Sequence, residues 1–267
     1  DATGAPLAGG DGGDLFANAA IPNAYYARPI GDGRAWFGIG LTSPFGLSTD
    51  YDSGWVGRYQ TLESDLTAID INPALGITVN DWLSLGLGVS AQYASVKLTN
   101  AIDFGSLCLG QIEPAAPGTC SAIGALPQQA DGFVKLDGDD WTLGYNLGAL
   151  ITLSDATRLG LAYRSGIDHG IEGDAQFSAP AAMGALLDPA FTDSQAFAPL
   201  NLPARFSVSV HHQATERLAL TGDVSWSQWE RFDGISVEED KQSATNPTAS
   251  PFLRHERKRL RKLVPPW

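Results

Sequence analysis

Residues able to do chemistry are sparse in this chain, and their spacing narrows what they can do. Cys108 and Cys120 are the two cysteines; they share one Gly/Pro-rich stretch, with no CxxC and no Cys/His ligand spacing, so zinc is not indicated. A local disulfide in an oxidising compartment is the preferred reading, with two unlinked thiols as the alternative. His211 and His212 are adjacent. Neighbouring strand residues point to opposite faces, so this pair cannot chelate one ion. Asp137, Asp139 and Asp140 have the composition of a calcium site but read better as a solvated strand end. Gly38-Ile39-Gly40 and Gly86-Leu87-Gly88 resemble pieces of a phosphate loop, yet they sit inside alternating segments rather than before helices, which argues against nucleotide binding. No Ser/His/Asp set has an interpretable context. The expectation is therefore a protein without catalytic residues, metal or cofactor, and not an enzyme. Arg58, Arg158 and Arg164 are expected to form polar networks with Asp70, Asp168 and Glu172.

The elements that must position these residues are strands. In Trp141–Leu153 one face reads Trp141, Leu143, Tyr145, Leu147, Ala149, Ile151, Leu153, and the other Thr142, Gly144, Asn146, Gly148, Leu150, Thr152. Period-two alternation puts the first set on one side of a sheet. The pattern recurs at Leu83–Tyr93, Ile69–Val79, Leu159–Ile171, Arg205–Val210 and Trp36–Thr42. Such segments have the length of a strand crossing a bilayer, about 9 to 11 residues. After Tyr93 the apolar set becomes Ala94, Val96 and Leu98, which suggests either a bulge or exit from the membrane. Eight strands are expected, at about 20–30, 34–43, 66–79, 82–99, 134–153, 157–176, 203–213 and 217–238.

The connections separate this pattern from a soluble β-sandwich. Tight turns at 31–33, 80–81, 154–156 and 214–216 alternate with long segments near 44–64, 100–136 and 177–202. Outer-membrane barrels have that asymmetry, short turns at the periplasmic end and long loops outside. Trp55, Tyr59, Trp82, Trp141, Tyr163, Trp226 and Trp229 fall near strand ends, where amphipathic rings suit headgroup depth.

Composition agrees with this reading. Of 267 residues, 18% are charged and 43% hydrophobic, with 30 glycines; mean hydropathy is −0.07, and no run approaches the length of a spanning helix. The net charge of −13 excludes nucleic acid as a natural partner. The chain begins at Asp1 without an initiator Met, so a mature or truncated form is expected. From 243 to 267 the alternation stops and Arg254, Arg257, Lys258, Arg259, Arg261 and Lys262 cluster. That tail is expected to be disordered or out of frame, with a basic partner-binding helix as the alternative. The barrel segment is placed at 1–242.

Several stretches taken in order resemble the FadL-type long-chain fatty acid transporters. They are Ile21-Pro22-Asn23-Ala24-Tyr25-Tyr26 with Arg28-Pro29-Ile30, Ser43-Pro44-Phe45-Gly46-Leu47-Ser48-Thr49, Trp55-Val56-Gly57-Arg58-Tyr59, Leu83 to Asn100, Leu136 to Trp141, Leu161-Ala162-Tyr163-Arg164-Ser165, Leu202-Pro203-Ala204 and Val224-Ser225-Trp226-Ser227-Gln228-Trp229. The resemblance covers about residues 9 to 240. It implies an all-β, antiparallel, up-and-down transmembrane β-barrel, here about eight strands of a 14-stranded barrel, with the N-terminal plug and the last strands missing. It also implies an outer-membrane location, lipid and lipopolysaccharide as surroundings, and a monomer. The implied function is uptake of long-chain fatty acids or other hydrophobic compounds by loop capture and lateral diffusion. The alternatives are an aromatic-hydrocarbon channel of the same family, or a non-transport barrel such as an adhesin or enzyme.

The resemblance further implies a capture groove between two long outer loops. Its candidates are Phe104, Leu107, Leu109, Ile112, Ile123 and Leu126, faced by Met183, Leu186, Leu187, Phe191 and Phe197. Loop self-packing is the alternative. One basic residue of the family's carboxylate clamp falls at Asn100 here, with Lys97 the nearest base. Eight strands from the middle of a barrel leave two unpaired edges, so the segment alone is not expected to transport.

Overall fold

The computed structural model describes residues 4–14, 21–181, 183, 191–231 and 238–240. Its elements are β1 (Ala24–Ile30), β2 (Ala35–Asp50), β3 (Glu63–Asn80), β4 (Leu83–Asp103), α1 (Phe104–Gln111), α2 (Thr119–Ala122), β5 (Asp131–Ser154), β6 (Thr157–Arg164), β7 (Ile167–Ser178), β8 (Ser194–Leu202), β9 (Arg205–Thr215), β10 (Leu218–Ser227), a 3-10 turn at Trp229–Arg231, and β11 (Glu238–Asp240). The strands pair antiparallel in the order β1-β2-β3-β4-β5-β6-β9-β10. Above β6 the wall continues as β7, which pairs with β5 and β8. The result is an up-and-down wall with β1 and β10 at the ends of its path.

The alternation read in the sequence is the alternation of faces. Leu143 is 72% exposed and Leu87 55%, while Ser90 and Ala94 on the other face of β4 are fully buried. One face of the wall is therefore apolar and outward, the other inward. In water each such leucine forgoes about 1.5 to 3 kcal/mol of burial; an acyl-chain environment removes that cost.

The register from Leu83↔Ile151 to Asp103↔Asp131 is unbroken over the 21 residues of β4. The change after Tyr93 is therefore not a bulge. Side chains keep their phase, and it is the polarity of each face that changes: Ala94, Val96 and Leu98 remain inward, while Ser95 and Lys97 remain outward. Beyond Tyr93 the inward face joins an apolar core of Leu66, Ala94, Val96, Ile171, Ala198, Leu200 and Leu202, with Phe45 and Leu98 packed against it. The inward face there is apolar and packed, while Ser95 and Lys97 make the outward face polar.

Five expectations are corrected. The segment 44–64 begins and ends as strand, leaving a loop at 51–62; β4 and β5 likewise extend into 100–136. The segment 177–202 contains β8, which completes the apolar core. The strand expected at 157–176 breaks at Ser165–Gly166 into β6 and β7, and the one expected at 217–238 ends at Ser227. The one-ended asymmetry stands: 51–62, 104–130, the end of β7 and the start of β8 lie at one end, and the tight turns at the other. At one of these turns the Asn80 carboxamide oxygen accepts from the backbone N–H groups of Trp82 (3.1 Å) and Leu83 (2.9 Å). Residues 243–267, with the basic cluster, lie outside the described residues.

Candidate functional site

Two places at the loop end and inside the wall bring together residues that can hold a ligand. The first is the loop pair. Asp103 caps α1 by accepting from the Ser106 N–H at 3.0 Å, and the same oxygen accepts from the Gln128 N–H at 3.1 Å, so the returning chain is fixed to the start of the helix. Gly132 has no side chain because the Phe104 ring and the Ser178 carbonyl occupy that space. Cys108 and Cys120 form a disulfide, S–S 2.03 Å, joining α1 to α2. Arg58 donates to Asp131 at 2.7 Å, and the Tyr59 hydroxyl donates to the other Asp131 oxygen at 2.7 Å, tying the 51–62 loop to the base of this one. Burial works against the Arg58 cation, but its contact with Asp131 holds it charged above the usual arginine range. Burial, and then the bond to Asp131, push the Tyr59 phenol above the usual tyrosine range.

Among the expected groove residues, Phe104 and Met183 are fully buried, with Leu107, Leu109, Ile112, Ile123 and Phe191 packed around them. Phe191 meets Phe104 edge-on at 5.2 Å and Phe177 at 6.0 Å. The two loops do face each other, but they meet as a small packed core. Leu126 is exposed outside that core. Phe197 belongs to β8, opposite Glu172, with its ring beside Gly170 rather than in the loop cluster. Leu186 and Leu187 lie outside the described residues. Lys97 projects outward and pairs with Glu63 at 2.6 Å, an interaction that holds its ammonium charged above the usual lysine range. It therefore turns away from the interior. Asn100 has the inward phase, with its Nδ2 donating to the Ala101 carbonyl at 3.3 Å.

The second place is an inward cavity of about 730 Å³ beneath the apolar core. Its lining includes Pro44, Phe45, Ile167, Leu202, Pro203 and Trp229 together with Asn72, Asn146, Arg164, Ser165, Arg205 and Ser207. A polar belt separates it from the core above. Arg164 Nη1 lies 2.9 Å from Asp70, which is fully buried; Ser90 donates to the same Asp70 oxygen at 3.0 Å, and Asn72 donates to Ser90 at 3.1 Å. Gly88 has no side chain because the Asn72 and Asn146 carboxamides fill that position. Of the expected networks, Arg164–Asp70 forms, whereas Arg58 pairs with Asp131. The sequence reading did not foresee Arg205, Phe45 and Trp229 as cavity residues. Their inward phase was legible for Arg205 alone.

Beside this cavity the wall is discontinuous. Residues 140–145 of β5 face 165–171 without ladder pairs, between Asn146↔Arg164 and Asp139↔Glu172. Side chains replace the missing bonds. Ser165 Oγ accepts from the Tyr145 N–H at 3.0 Å, Asp140 accepts from the Gly170 N–H at 3.2 Å, and the His169 ring bridges Asp140 (3.0 Å) and Gln92 (3.1 Å). Unpaired backbone in a membrane wall requires such substitutes. On the outward face Leu75, Ile77, Leu85, Leu87, Leu147 and Leu161 line a shallow apolar depression of about 800 Å³. It lies on the outward apolar face of the wall.

Residues 3–251 match the family described as outer membrane protein transport protein (OMPP1/FadL/TodX). The chain belongs to this family. It is 29% identical over 236 residues to the long-chain fatty acid transport protein of Escherichia coli K12, covering 84% of this chain and 53% of that protein. It is 29% identical over 231 residues to outer membrane protein P1 of Haemophilus influenzae, covering 84% and 49%. Among solved structures, a Pseudomonas aeruginosa FadL homologue superposes with a TM-score of 0.72 at 23% identity, over 86% of this chain and 53% of that one. The Ralstonia pickettii toluene transporter TbuX superposes at 0.60 and 22% identity, over 82% and 57%. The chain thus spans about half the length of the relatives it matches. The family relationship places the protein in the outer membrane.

Proposed function

We propose that this FadL/TodX family member is the wall and loop region of an outer-membrane channel for hydrophobic compounds, acting as a monomer and without a catalytic step. The observation that carries this is the inward cavity. It is about 730 Å³, within the range of small-molecule sites, and Phe45, Ile167, Leu202 and Trp229 give it an apolar share of lining inside a wall whose outer face is also apolar. Water alone would not favour a Phe45–Trp229 surface there. The half-buried Leu107, Leu109, Ile112, Ile123 and Phe191 form the outer capture surface, where partial separation of the two loops exposes more apolar area at about 25 cal/mol per Å². The ligand then reaches the inner cavity, and lateral diffusion through the wall delivers it.

Long-chain fatty acids are the leading cargo. A second reading, aromatic hydrocarbons, is favoured by Asn100 standing where the family's clamp has a base, with Lys97 turned outward to Glu63. Uptake of radiolabelled oleate and of toluene by a transporter-deficient strain expressing the full-length gene tests both. Replacing 105–129 with a short Gly/Ser linker should reduce uptake of the true cargo severalfold while the barrel remains assembled. Uptake of neither compound by the intact protein rules the channel out.

A further inference from the structure

We infer that residues 165–171, with 198–204 beside them, form a gate between the loop core and the inner cavity, held shut by a His169 latch. The inference rests on the channel reading and adds to it the step at which passage is controlled. β6 and β7 are interrupted at Ser165–Gly166, and β8 and β9 at Pro203–Ala204. The two interruptions lie side by side, between the pairs Arg164↔Arg205 and Ile167↔Leu202. All four of these residues line the inner cavity. On each strand the inward residues flanking the break are therefore three apart, so both strands slip one residue out of the pleat's period at the same level.

The span above the break leans into the barrel. Glu172 pairs with Asp139 on the adjacent β5. Three residues earlier, the His169 ring meets Asp140 at 3.0 Å and also reaches past β5 to Gln92 on β4 at 3.1 Å. Gly144 has no side chain because Ile167 and the Ser165 hydroxyl occupy that space. Ile171, Ala198, Leu200 and Leu202 belong to the apolar core, while Ile167, Leu202 and Pro203 line the cavity beneath it. One short stretch thus divides the two compartments. Ladders anchor it above and below, but its own bonds to β5 are few. The Ser165 N–H donates to the Tyr145 carbonyl at 2.9 Å, and the rest come from the side chains of Ser165, Asp140 and His169. Such bonds break without unzipping either ladder, so this span opens at lower free energy than the paired strands around it. Once His169 lets go, 165–171 falls back toward 140–145 and draws Ile171, Leu200 and Leu202 out of the lumen. Hinges are residues at element ends that absorb a backbone change, and Gly166 and Pro203–Ala204 stand at those places.

The test locks the gate in the full-length protein. Gln92→Cys/His169→Cys places two thiols across the inner face of β5, and a short bifunctional methanethiosulfonate joins them reversibly; Cys108 and Cys120 are already paired. Cross-linking should cut uptake of oleate or toluene, whichever the protein carries, at least tenfold, and mild reduction should restore it. Full uptake by cross-linked protein overturns the gate and leaves the channel reading standing. Equal loss in a treated single-cysteine variant assigns the effect to bulk in the cavity and also overturns it. Failure of the wild type to carry either compound removes the channel reading itself. If the double variant is inactive before cross-linking, hydrogen exchange decides. The Tyr145 and Gly170 amides, which bond to side chains across the seam, should exchange at least tenfold faster than ladder amides of 146–152, and faster again in His169→Phe. Protection equal to the ladder's, or unmoved in His169→Phe, overturns the gate.

Discussion

The indole of Trp229 meets the ring of Phe45 edge-on, with centroids 6.2 Å apart and planes at 89°. The two residues come from β2 and from the 3-10 turn after β10, so strands distant in the wall's order close together over the inner cavity. Edge-to-face aromatic pairs contribute about 0.5 to 1.5 kcal/mol beyond their area burial. A double-mutant cycle on Phe45→Leu and Trp229→Leu, read from denaturant unfolding in detergent, should give a coupling of about that size. The single variants should also bind oleate more weakly, because each removes part of the apolar lining of the cavity. Strictly additive stabilities would show that the two rings do not act together.

How much of this was legible in the sequence depends on the element. Trp141–Leu153 declares itself, since a lipid face and a Gly/Asn-rich inward face leave period two intact over a whole strand. Ala196, Ala198, Leu200 and Leu202 of β8 carry the same period, but Pro199 and short apolar side chains make nine residues read as loop. Lys97 was misplaced for a physical reason. Beyond Tyr93 the polarity of the two faces swaps, and a swap of polarity looks like a swap of direction in a one-dimensional pattern. The loop residues Phe104 and Met183 were recognisable as an apolar group. Whether such a group opens as a groove or closes as a core depends on the caps, the disulfide and the Arg58–Asp131 pair, none of which hydropathy encodes.

The disulfide closes a short loop, and removing such a bridge commonly costs about 2 to 4 kcal/mol, expressed here as opening of α1 from α2. The Cys108→Ser/Cys120→Ser variant should keep its heat-modifiable barrel and lose protease resistance between 104 and 130. If capture depends on this loop pair, ligand uptake should fall in step with that resistance. Uptake that persists while the loop is cleaved would separate capture from the loop core.

The Arg58–Tyr59–Asp131 cluster makes a pH prediction. The folded Tyr59 is raised above its unfolded value, about 10, by burial and by donating to Asp131. A raised value means the folded state holds the proton more strongly. Its contribution to loop stability is therefore complete below the unfolded value and is lost as pH rises through the folded one. Ultraviolet difference absorbance between the wild type and Tyr59→Phe should place this phenol's ionisation well above that of an exposed tyrosine. Protease cleavage between 104 and 130 should increase over the same alkaline window. Tyr59→Phe should show neither signal, while Asp131→Asn should loosen the loop at neutral pH by leaving Arg58 uncompensated, at a cost of about 3 kcal/mol.

The orientation of the wall can be tested at single residues. Leu147 and Asn146 are neighbours on β5, and the pleat sends one outward and the other to the inner cavity. Leu147 is exposed, in the middle of a face made of Leu85, Leu87, Leu143 and Leu161. Asn146 lines the cavity, next to Gly88. A charge on the lipid side of a barrel near mid-membrane costs about 2 to 4 kcal/mol, whereas a lumen position tolerates one. Leu147→Arg should accordingly reduce barrel stability by about that amount in lipid unfolding titrations, and Asn146→Arg by much less. Brominated acyl chains should quench a fluorophore attached at Leu147→Cys and spare one at Asn146→Cys. The reverse pattern would mean that the apolar face looks inward, and then the cavity bounded by Phe45, Trp229 and Arg205 would open to lipid and could not be a passage.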